Sequence, residues 1–286
     1  MTTGRIGNRL LGGRYELIKV LGRGGQSTVY RARDHVDGDE VAIKVVTGAI
    51  GDPDATERMF REVQSMCQLQ GTAAVRVLHQ VRTDDGALGL VMELLEGRDL
   101  EAHLVELEER GERASLEFVE EVFGPIVSTL VEAHDRGLVH RDIKPENIFI
   151  VDASKGGGVR LLDFGFVKLL RAPRITGSET VAGSPYFMAP EMWLHGAAVA
   201  DPRSDAYAIG AVLFRALAGK PPFSGALVEI MQAALEAERP SLHSLRPELS
   251  PDVDAWVKQA LAVSPDERFQ SVKATWRALL GCFPGR

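Results

Sequence analysis

A glycine-rich turn, Leu21-Gly22-Arg23-Gly24-Gly25-Gln26-Ser27-Thr28-Val29-Tyr30, joins two predicted strands near the start of the chain. Glycine has no Cβ, so the backbone of such a turn approaches a polyphosphate closely and offers its amide groups as donors. The turn therefore indicates phosphate binding, although an ordinary hairpin turn has the same composition. A dinucleotide-binding fold is not indicated, because a strand and not a helix follows Val29.

A lysine and a glutamate have the residue types that would complete a phosphate site. Lys44 lies on an otherwise apolar face of the predicted strand at 41–46. Glu62 follows Met59 by three residues and precedes Met66 by four, so the three side chains share one helix face. Because a charge buried alone is costly, a Lys44–Glu62 ion pair would satisfy both groups and leave the lysine aimed at a phosphate. A surface lysine and a solvent-exposed glutamate are the alternatives that the spacing leaves open.

The elements that position these residues are a small sheet and a set of helices. Apolar and β-branched clusters between Gly and Asp turns predict strands at 15–20, 29–32, 41–46 and 89–94. A helical period predicts one helix at 56–70, and longer periods predict helices at 100–109, 116–135, 204–218, 226–238, 252–263 and 271–281. Two short apolar pieces, at 148–151 and 159–162, predict a hairpin lying on those helices.

Composition limits the class of protein. The 286 residues are enough for about two domains, and 45% apolar with 26% charged residues indicates a soluble, folded chain. A net charge of -7 argues against binding of nucleic acid or an anionic membrane. Cys67 and Cys282 lie far apart and outside any CxxC pair, so we expect a reducing, cytoplasmic location. We see no signal peptide or spanning segment and expect no membrane contact from this chain.

Three motifs follow one another in the second part of the chain. They are His140-Arg141-Asp142-Ile143-Lys144-Pro145-Glu146-Asn147, Asp163-Phe164-Gly165 and Ala189-Pro190-Glu191. Their order and intervals resemble the catalytic loop, metal-binding triplet and activation-segment end of eukaryotic-like (Hanks-type) serine/threonine protein kinases, most similar to bacterial members. The resemblance implies an α+β, bilobal protein kinase fold with a small, mainly antiparallel β N-lobe that carries one helix, a larger, mainly α-helical C-lobe, and ATP in the cleft. The implied parts are an N-terminal extension, the N-lobe, the C-lobe and a C-terminal tail, at 1–14, 15–95, 96–281 and 282–286.

The resemblance implies which residues contact ATP. They are Leu21, Gly22, Gly24, Val29, Ala42, Lys44, Glu93, Leu95, Asp99 and Phe149. Gly22 and Gly24 would cover the phosphates, and Lys44, paired with Glu62, would hold the α and β phosphates. Asp99 would reach the ribose. The apolar members also suit plain core packing, since apolar cleft residues do both.

The resemblance also implies the catalytic and metal-binding groups. Asp142 would accept the proton of the substrate hydroxyl, and Lys144, typical of the serine/threonine branch, would steady the transferring phosphate. Asn147 and Asp163 would bind Mg²⁺, with Mn²⁺ as an alternative ion, since carboxylate and amide oxygens suit a hard cation. The seven histidines show no ligand spacing, so His140 is interpreted as a buried anchor of the catalytic loop.

A regulatory site is implied before the last motif. Candidate phosphate acceptors are Thr176, Ser178 and Thr180. Thr180 lies eleven residues before Glu191, the usual position in the family, and Arg141, Lys168 and Arg58 match the cations that would clamp its phosphate. We expect autophosphorylation in a transient homodimer to raise activity. A solvated loop whose charges do nothing is the alternative.

Four further positions carry structural expectations. Glu191 should pair with Arg268, and Asp205 should either tie down the catalytic loop or act as an N-cap. Ser27 replaces the third glycine of the turn, and Ser184 replaces a usual threonine, so neither departure removes a catalytic group.

The main hypothesis is an ATP- and Mg²⁺-dependent kinase that phosphorylates serine or threonine in protein substrates. A catalytically silent nucleotide-binding scaffold is one alternative, but Lys44, Asp142, Asn147 and Asp163 are all present. A small-molecule phosphotransferase is the other, and the segment at 183–191, which resembles a peptide-docking platform, argues against it.

Overall fold

The computed structural model describes residues 10–24, 27–46, 63, 66–83, 86–164 and 185–285. These residues divide into two compact units, one ending at Glu96 and the other beginning at Gly97. Within the described ranges, no helix combines the length and the apolar character needed to cross a bilayer.

The first unit is a six-stranded antiparallel sheet with the strand order β1-β2-β3-β4-β6-β5. The strands are Leu10–Leu11 (β1), Tyr15–Arg23 (β2), Ser27–Asp34 (β3), Glu40–Val46 (β4), Val77–Arg82 (β5) and Leu88–Glu93 (β6). The four predicted strands are confirmed to within a few residues. The sequence does not predict β1, which is too short to show a period, or β5, in which polar residues 79 and 80 break the alternation.

One face of this sheet forms the core of the first unit. The buried cluster is Leu11, Tyr15, Leu17, Ala32, Val41, Ile43 and Val91. Because side chains alternate along a strand, Ala42 and Lys44 of β4 lie on the opposite face. Of the helix predicted at 56–70, the structure describes residues 63 and 66–70, and 63, 66 and 67 are helical. The rest of that helix lies outside the described residues.

The second unit is mainly helical. Its helices are Leu100–Glu109 (α1), Leu116–Asp135 (α2), Pro190–His195 (α3), Pro202–Ala218 (α4), Leu227–Glu236 (α5), Val253–Ala260 (α6) and Val272–Leu280 (α7). A three-stranded sheet of Gly97–Asp99 (β7), Ile148–Val151 (β8) and Val159–Leu161 (β9) packs on α1 and α2. The six predicted helices and the hairpin are confirmed. The sequence does not predict α3, whose six residues are too few to show a helical period.

Helix α4 is the centre of this unit, and every residue from Ser204 to Ala218 is buried. Helices α2, α6 and α7 pack against it. Its N-cap is Asp201, whose Oδ1 accepts from the Arg203 amide at 2.7 Å. The Ser204 hydroxyl accepts from the Asp201 amide in return, at 3.2 Å, which completes a capping box. The N-cap interpretation of Asp205 is therefore wrong, because Asp205 already lies inside the helix.

Candidate active site

The face of the first sheet opposite the core cluster carries the lysine. Lys44 is 8% exposed, and its cross-strand partners are Val29 on β3 and Leu90 on β6. Directly opposed residues place their side chains on the same face, and Ala42, two residues before Lys44, shares it. The structure thus brings together three of the residues expected to contact ATP: Val29, Ala42 and Lys44.

Gly22 and Gly24, in the glycine-rich turn, have room beside their backbone. Gly22 pairs with Val29 across the sheet, and the Gly24 amide donates to the Ser27 carbonyl at 2.8 Å. A Cβ on Gly22 would meet no atom within 4 Å, and one on Gly24 would come no closer than 3.6 Å to Ser27. Packing within the described residues therefore does not require glycine at either position.

The other first-unit candidates lie at the ends of the same strands. Leu21 on β2 is 45% exposed, and Leu95 is partly exposed just after β6. Glu93, at the end of β6, donates its amide to the Arg76 carbonyl at 3.0 Å and accepts from the Arg76 amide at 2.8 Å. These two bonds fix the chain where it leaves the sheet.

Several predicted residues lie outside the described part of the chain. They are Arg58, Glu62, Lys168, Thr176, Ser178, Thr180 and Ser184. The Lys44–Glu62 pair and the activation-segment site therefore stay predictions.

In the second unit, one carboxylate holds the catalytic loop. Asp205, on α4, is 1% exposed. Its Oδ2 accepts from the His140 amide at 2.7 Å, and its Oδ1 accepts from the Arg141 amide at 2.9 Å. His134 adds a third contact, Nε2 to Oδ2, at 2.8 Å. The expectation that Asp205 ties down the loop is confirmed.

His140 anchors the loop from inside. The ring is fully buried, and burial lowers the pKa of His140, so the neutral form is favoured. Its Nδ1 accepts from the Asp142 amide at 3.3 Å, which leaves Nε2–H to donate to the Leu162 carbonyl at 2.9 Å. The ring also packs against Phe164, with centroids 4.6 Å apart. His140 thus joins the loop to the end of β9, and each ring nitrogen already has a hydrogen-bond partner in the protein.

Three polar side chains meet beyond this anchor. Asn147 Nδ2 donates to the Asp142 carbonyl at 2.7 Å and to Asp142 Oδ2 at 3.2 Å. Lys144 Nζ lies 3.6 Å from the same Oδ2. The Asp142 side chain is 19% exposed, so a proton acceptor that solvent reaches lies beside a cation and an amide.

The hairpin brings Asp163 to the same place. Residue 147 immediately precedes β8 and residue 162 immediately follows β9, and the Leu162 amide donates to the Asn147 carbonyl at 2.8 Å. Asp163 is the next residue. Near the start of β8, Phe149 pairs with Asp99 of β7 across the sheet, so two more predicted nucleotide contacts are neighbours.

Backbone strain marks two turns of the candidate site. Among the described residues, the non-glycine positions with positive φ are Arg141, at 65°, and Asp163, at 52°. A left-handed conformation costs an ordinary residue roughly 1–2 kcal/mol. Such strain persists where surrounding bonds impose it. At Arg141 the bond from its amide to Asp205 does so.

An ion pair fixes the last motif. Arg268 donates to both oxygens of Glu191, at 3.0 and 2.6 Å, as predicted. Burial alone would raise the pKa of Glu191, but the bonds from Arg268 and from the Ser204 hydroxyl hold it below its ordinary value. The pair therefore stays ionised and attaches α3 to the start of α4.

The sequence does not predict the contact between His134 and Asp205. It also does not predict helix α3, which begins within the last motif. His134 lies 71 residues before Asp205, and no local spacing links the two. Only a rule that every buried carboxylate needs several donors would have prompted a search for it.

With this geometry in view, the comparisons decide the family. A model of the protein kinase domain matches residues 15–277. The chain belongs to the protein kinase domain family. This confirms the family predicted from the three motifs.

Two curated relatives of this chain are bacterial serine/threonine-protein kinases. Serine/threonine-protein kinase PrkC of Bacillus subtilis is 34% identical over 270 residues, which are 94% of this chain and 40% of PrkC. Serine/threonine-protein kinase PknL of Mycobacterium tuberculosis is 36% identical over 262 residues, which are 91% of this chain and 63% of PknL. The chain therefore spans less than two thirds of the length of either relative.

Solved structures confirm the fold. The kinase domain of Mycobacterium tuberculosis PknI, as a variant, matches with a TM-score of 0.73 at 24% identity, over 98% of this chain and 99% of that one. A second crystal structure of the PknI domain gives 0.72 at 25% identity, over 96% and 98%. The predicted α+β kinase fold, with an antiparallel sheet in one unit and helices in the other, is confirmed.

The Glu191–Arg268 pair predicts how stability depends on pH. Because the pKa of Glu191 is lowered on folding, its contribution is complete above the ordinary value of 4.5 and is lost as the pH falls through the lower folded value. Glu191→Gln should cost about 3 kcal/mol of unfolding free energy at pH 7, since it leaves buried Arg268 unpaired. That difference should shrink below about pH 4.5.

Urea unfolding at a series of pH values measures this difference. The matched control is Glu106→Gln, which removes a carboxylate that pairs with Arg98 and Arg110 at the surface. It should change the free energy by less than about 1 kcal/mol at any pH. A difference for Glu191→Gln that stays constant from pH 7 down to about pH 3 would contradict this account.

Proposed function

We propose that the protein transfers the γ-phosphate of ATP to serine or threonine hydroxyls of protein substrates, with Mg²⁺ as cofactor. The observation that carries the proposal is the meeting of Asp142, Lys144 and Asn147 around one carboxylate oxygen. Phosphoryl transfer needs a nucleophile held in position and neutralisation of the negative charge on the transferring phosphoryl group. This cluster supplies groups for both needs.

Asp142 and Lys144 have distinct roles in the proposed reaction. The partly exposed Asp142 carboxylate orients the substrate hydroxyl and accepts its proton. Lys144 Nζ, 3.6 Å from that carboxylate, is close enough to stabilise negative charge on the transferring phosphoryl group. The buried His140 and Asp205 keep this part of the loop in place, so the geometry exists before substrate arrives.

The donor set beside this cluster suits magnesium. Asn147 is 6% exposed, and its Nδ2 donates to Asp142. This orients the amide Oδ1 away from Asp142, where it can serve as a metal ligand. Asp163 adds a carboxylate, and both are the hard oxygen donors that Mg²⁺ prefers, with phosphate and water completing the coordination. When bound, the ion neutralises phosphate charge. Asn147 and Asp163 would hold it.

The first unit supplies groups suited to the nucleotide. Lys44 is a buried cation on an apolar face beside Val29 and Ala42, which fits a polyphosphate next to an adenine ring. Gly22 and Gly24 leave room for phosphate oxygens at their backbone. On the second unit, Phe149 and Asp99 would contact the adenine and the ribose. Leu21, Glu93 and Leu95 complete the proposed nucleotide set.

Protein substrates and regulation are proposed from the relatives and the last motif. PrkC and PknL are named serine/threonine-protein kinases, and the fixed position of α3 suits a platform for a peptide. We infer that Thr180 is autophosphorylated, one copy acting on another, with Ser178 and Thr176 as further acceptors. Cys67 and Cys282 are both free thiols, which supports a cytoplasmic location for this domain.

Removal of either reacting-site charge should abolish transfer. Asp142→Asn and Lys44→Met should each lower the turnover rate by roughly 10²- to 10⁴-fold, because each removes one charge and keeps the side-chain volume. Matched controls are Asp152→Asn and Lys19→Met, at exposed positions on the same two units. Transfer of radiolabelled phosphate from ATP to protein measures the rates, and wild-type activity in either site variant would refute the assigned role.

Phosphosite mapping tests the regulatory proposal. After incubation with ATP and Mg²⁺, mass spectrometry should find phosphate on Thr180, and Thr180→Ala should lower the rate of transfer, since no phosphate is then available to the clamping cations. Thr176→Ala is the matched control and should keep wild-type activity. Full activity in a preparation whose Thr180 is unmodified would contradict the proposal.

A further inference from the structure

One buried arginine holds both ends of helix α1. Arg215, on α4, is 4% exposed. Its Nη2 donates to Glu101 Oε1 at 2.9 Å, and its Nη1 donates to Glu108 Oε1. Glu101 is in the first turn of α1 and Glu108 is in the last, so a single guanidinium spans about 10 Å of helix.

Loss of the ion pairs would cost more for the buried arginine than for the two partly exposed carboxylates. Burial alone would lower the pKa of Arg215, but the hydrogen bonds to Glu108 and Glu101 raise it above its ordinary value. The side chains of Glu101 and Glu108 keep 33% and 35% of their surface exposed. Loss of the arginine would leave two carboxylates that water still reaches, whereas loss of both carboxylates would leave a buried cation.

Helix α1 carries a residue of the proposed nucleotide site. Asp99 is its N-cap, and Asp99 Oδ1 accepts from the Ala102 amide at 2.8 Å. Asp99 also ends β7 opposite Phe149, and α1 packs on the turn at 145–147 that precedes β8. A shift of α1 would therefore move the Asp99 carboxylate relative to Phe149.

A second observation separates Arg215 from ordinary core residues. Asp205 and Arg215 are the two charged residues among the buried positions of α4. Asp205 binds the catalytic loop, and Arg215 binds α1, so each charge fixes an element that carries proposed site residues. An apolar residue at 215 would pack without the cost of desolvating a charge, and it would leave α1 without this attachment.

We infer that Arg215 is a positioning residue for nucleotide binding. Through Glu101 and Glu108 it fixes α1 so that the Asp99 carboxylate accepts hydrogen bonds from the ribose hydroxyls of ATP. The inference rests on the proposed function, which supplies the nucleotide. Its distinguishing consequence concerns binding affinity. Replacement of Arg215 should weaken the binding of a nucleotide that has ribose hydroxyls and should not weaken the binding of one that lacks them.

Calorimetric titration of the whole chain with ATP and with 2′,3′-dideoxy-ATP, both with Mg²⁺, tests this consequence. Wild type should bind ATP more tightly. Arg215→Met should weaken ATP binding roughly tenfold and dideoxy-ATP binding by less than about twofold. The matched control is Arg110→Met, which removes an exposed arginine that pairs with Glu106 of α1, and it should change neither affinity.

Three results would overturn the inference: an equal loss for both nucleotides in Arg215→Met, an unchanged affinity for ATP, or a wild type that binds both nucleotides equally well. A wild type that binds neither nucleotide would instead refute the proposed function itself. The two failures are therefore distinguishable.

A compensated variant keeps the test valid if Arg215→Met unfolds. Arg215→Met combined with Glu101→Gln and Glu108→Gln also removes the two carboxylates that the single variant leaves without a counter-ion, and it should show the same selective loss for ATP. In turnover assays the compensated variant should show a KM for ATP that is about tenfold higher than that of wild type, with kcat within about twofold of wild type. Arg215→Lys should restore part of the affinity, since lysine reaches one carboxylate at a time. Wild-type discrimination by the compensated variant would contradict the inference.

Discussion

The Asp205 carboxylate is the constraint on which the second unit depends. It is buried in the central helix and accepts hydrogen bonds from the amides of His140 and Arg141 and from the His134 ring. Two backbone donors on one side chain hold Arg141 in a conformation that it would otherwise avoid. The direction in which the next residue, Asp142, leaves the loop follows from that conformation.

The same constraint extends to the rest of the site. The loop passes from Asp142 to Asn147, whose amide returns to Asp142, and then into β8. The hairpin brings Asp163 back beside Asn147, and the buried His140 ring closes the arrangement by its bond to the Leu162 carbonyl. A continuous chain of hydrogen bonds therefore links Asp142 and Asn147 to Asp205 of α4.

The start of α4 also holds the last motif. The Ser204 hydroxyl, which takes part in the capping box, donates to Glu191 Oε1 at 2.6 Å. Arg268 completes the attachment, since its guanidinium donates to Glu191 and to the Arg203 carbonyl. One end of one helix thus positions both the catalytic loop and α3. A few hydrogen-bonded charged residues on an otherwise apolar helix are thus enough to fix several loops.

Much of this could be predicted from the sequence, and the exceptions have a common physical cause. Regular alternation and long helical periods predicted the main strands and helices, and motif order predicted the family. Elements of two or six residues have no measurable period, so β1 and α3 were missed. Long-range bonds were also missed: Arg215 meets Glu101 and Glu108, which lie 114 and 107 residues earlier. Local rules likewise do not say that Asp201 caps α4 and Asp205 does not.

Hydrogen exchange at the His140 and Arg141 amides in an Asp205→Asn variant tests the central claim most directly. Asparagine keeps the size of the side chain but offers one acceptor oxygen in place of two. If the carboxylate holds the loop, at least one of these amides should exchange roughly 5- to 100-fold faster while the amides of α4 stay protected. Unchanged exchange at both amides would show that packing, and not Asp205, holds the loop.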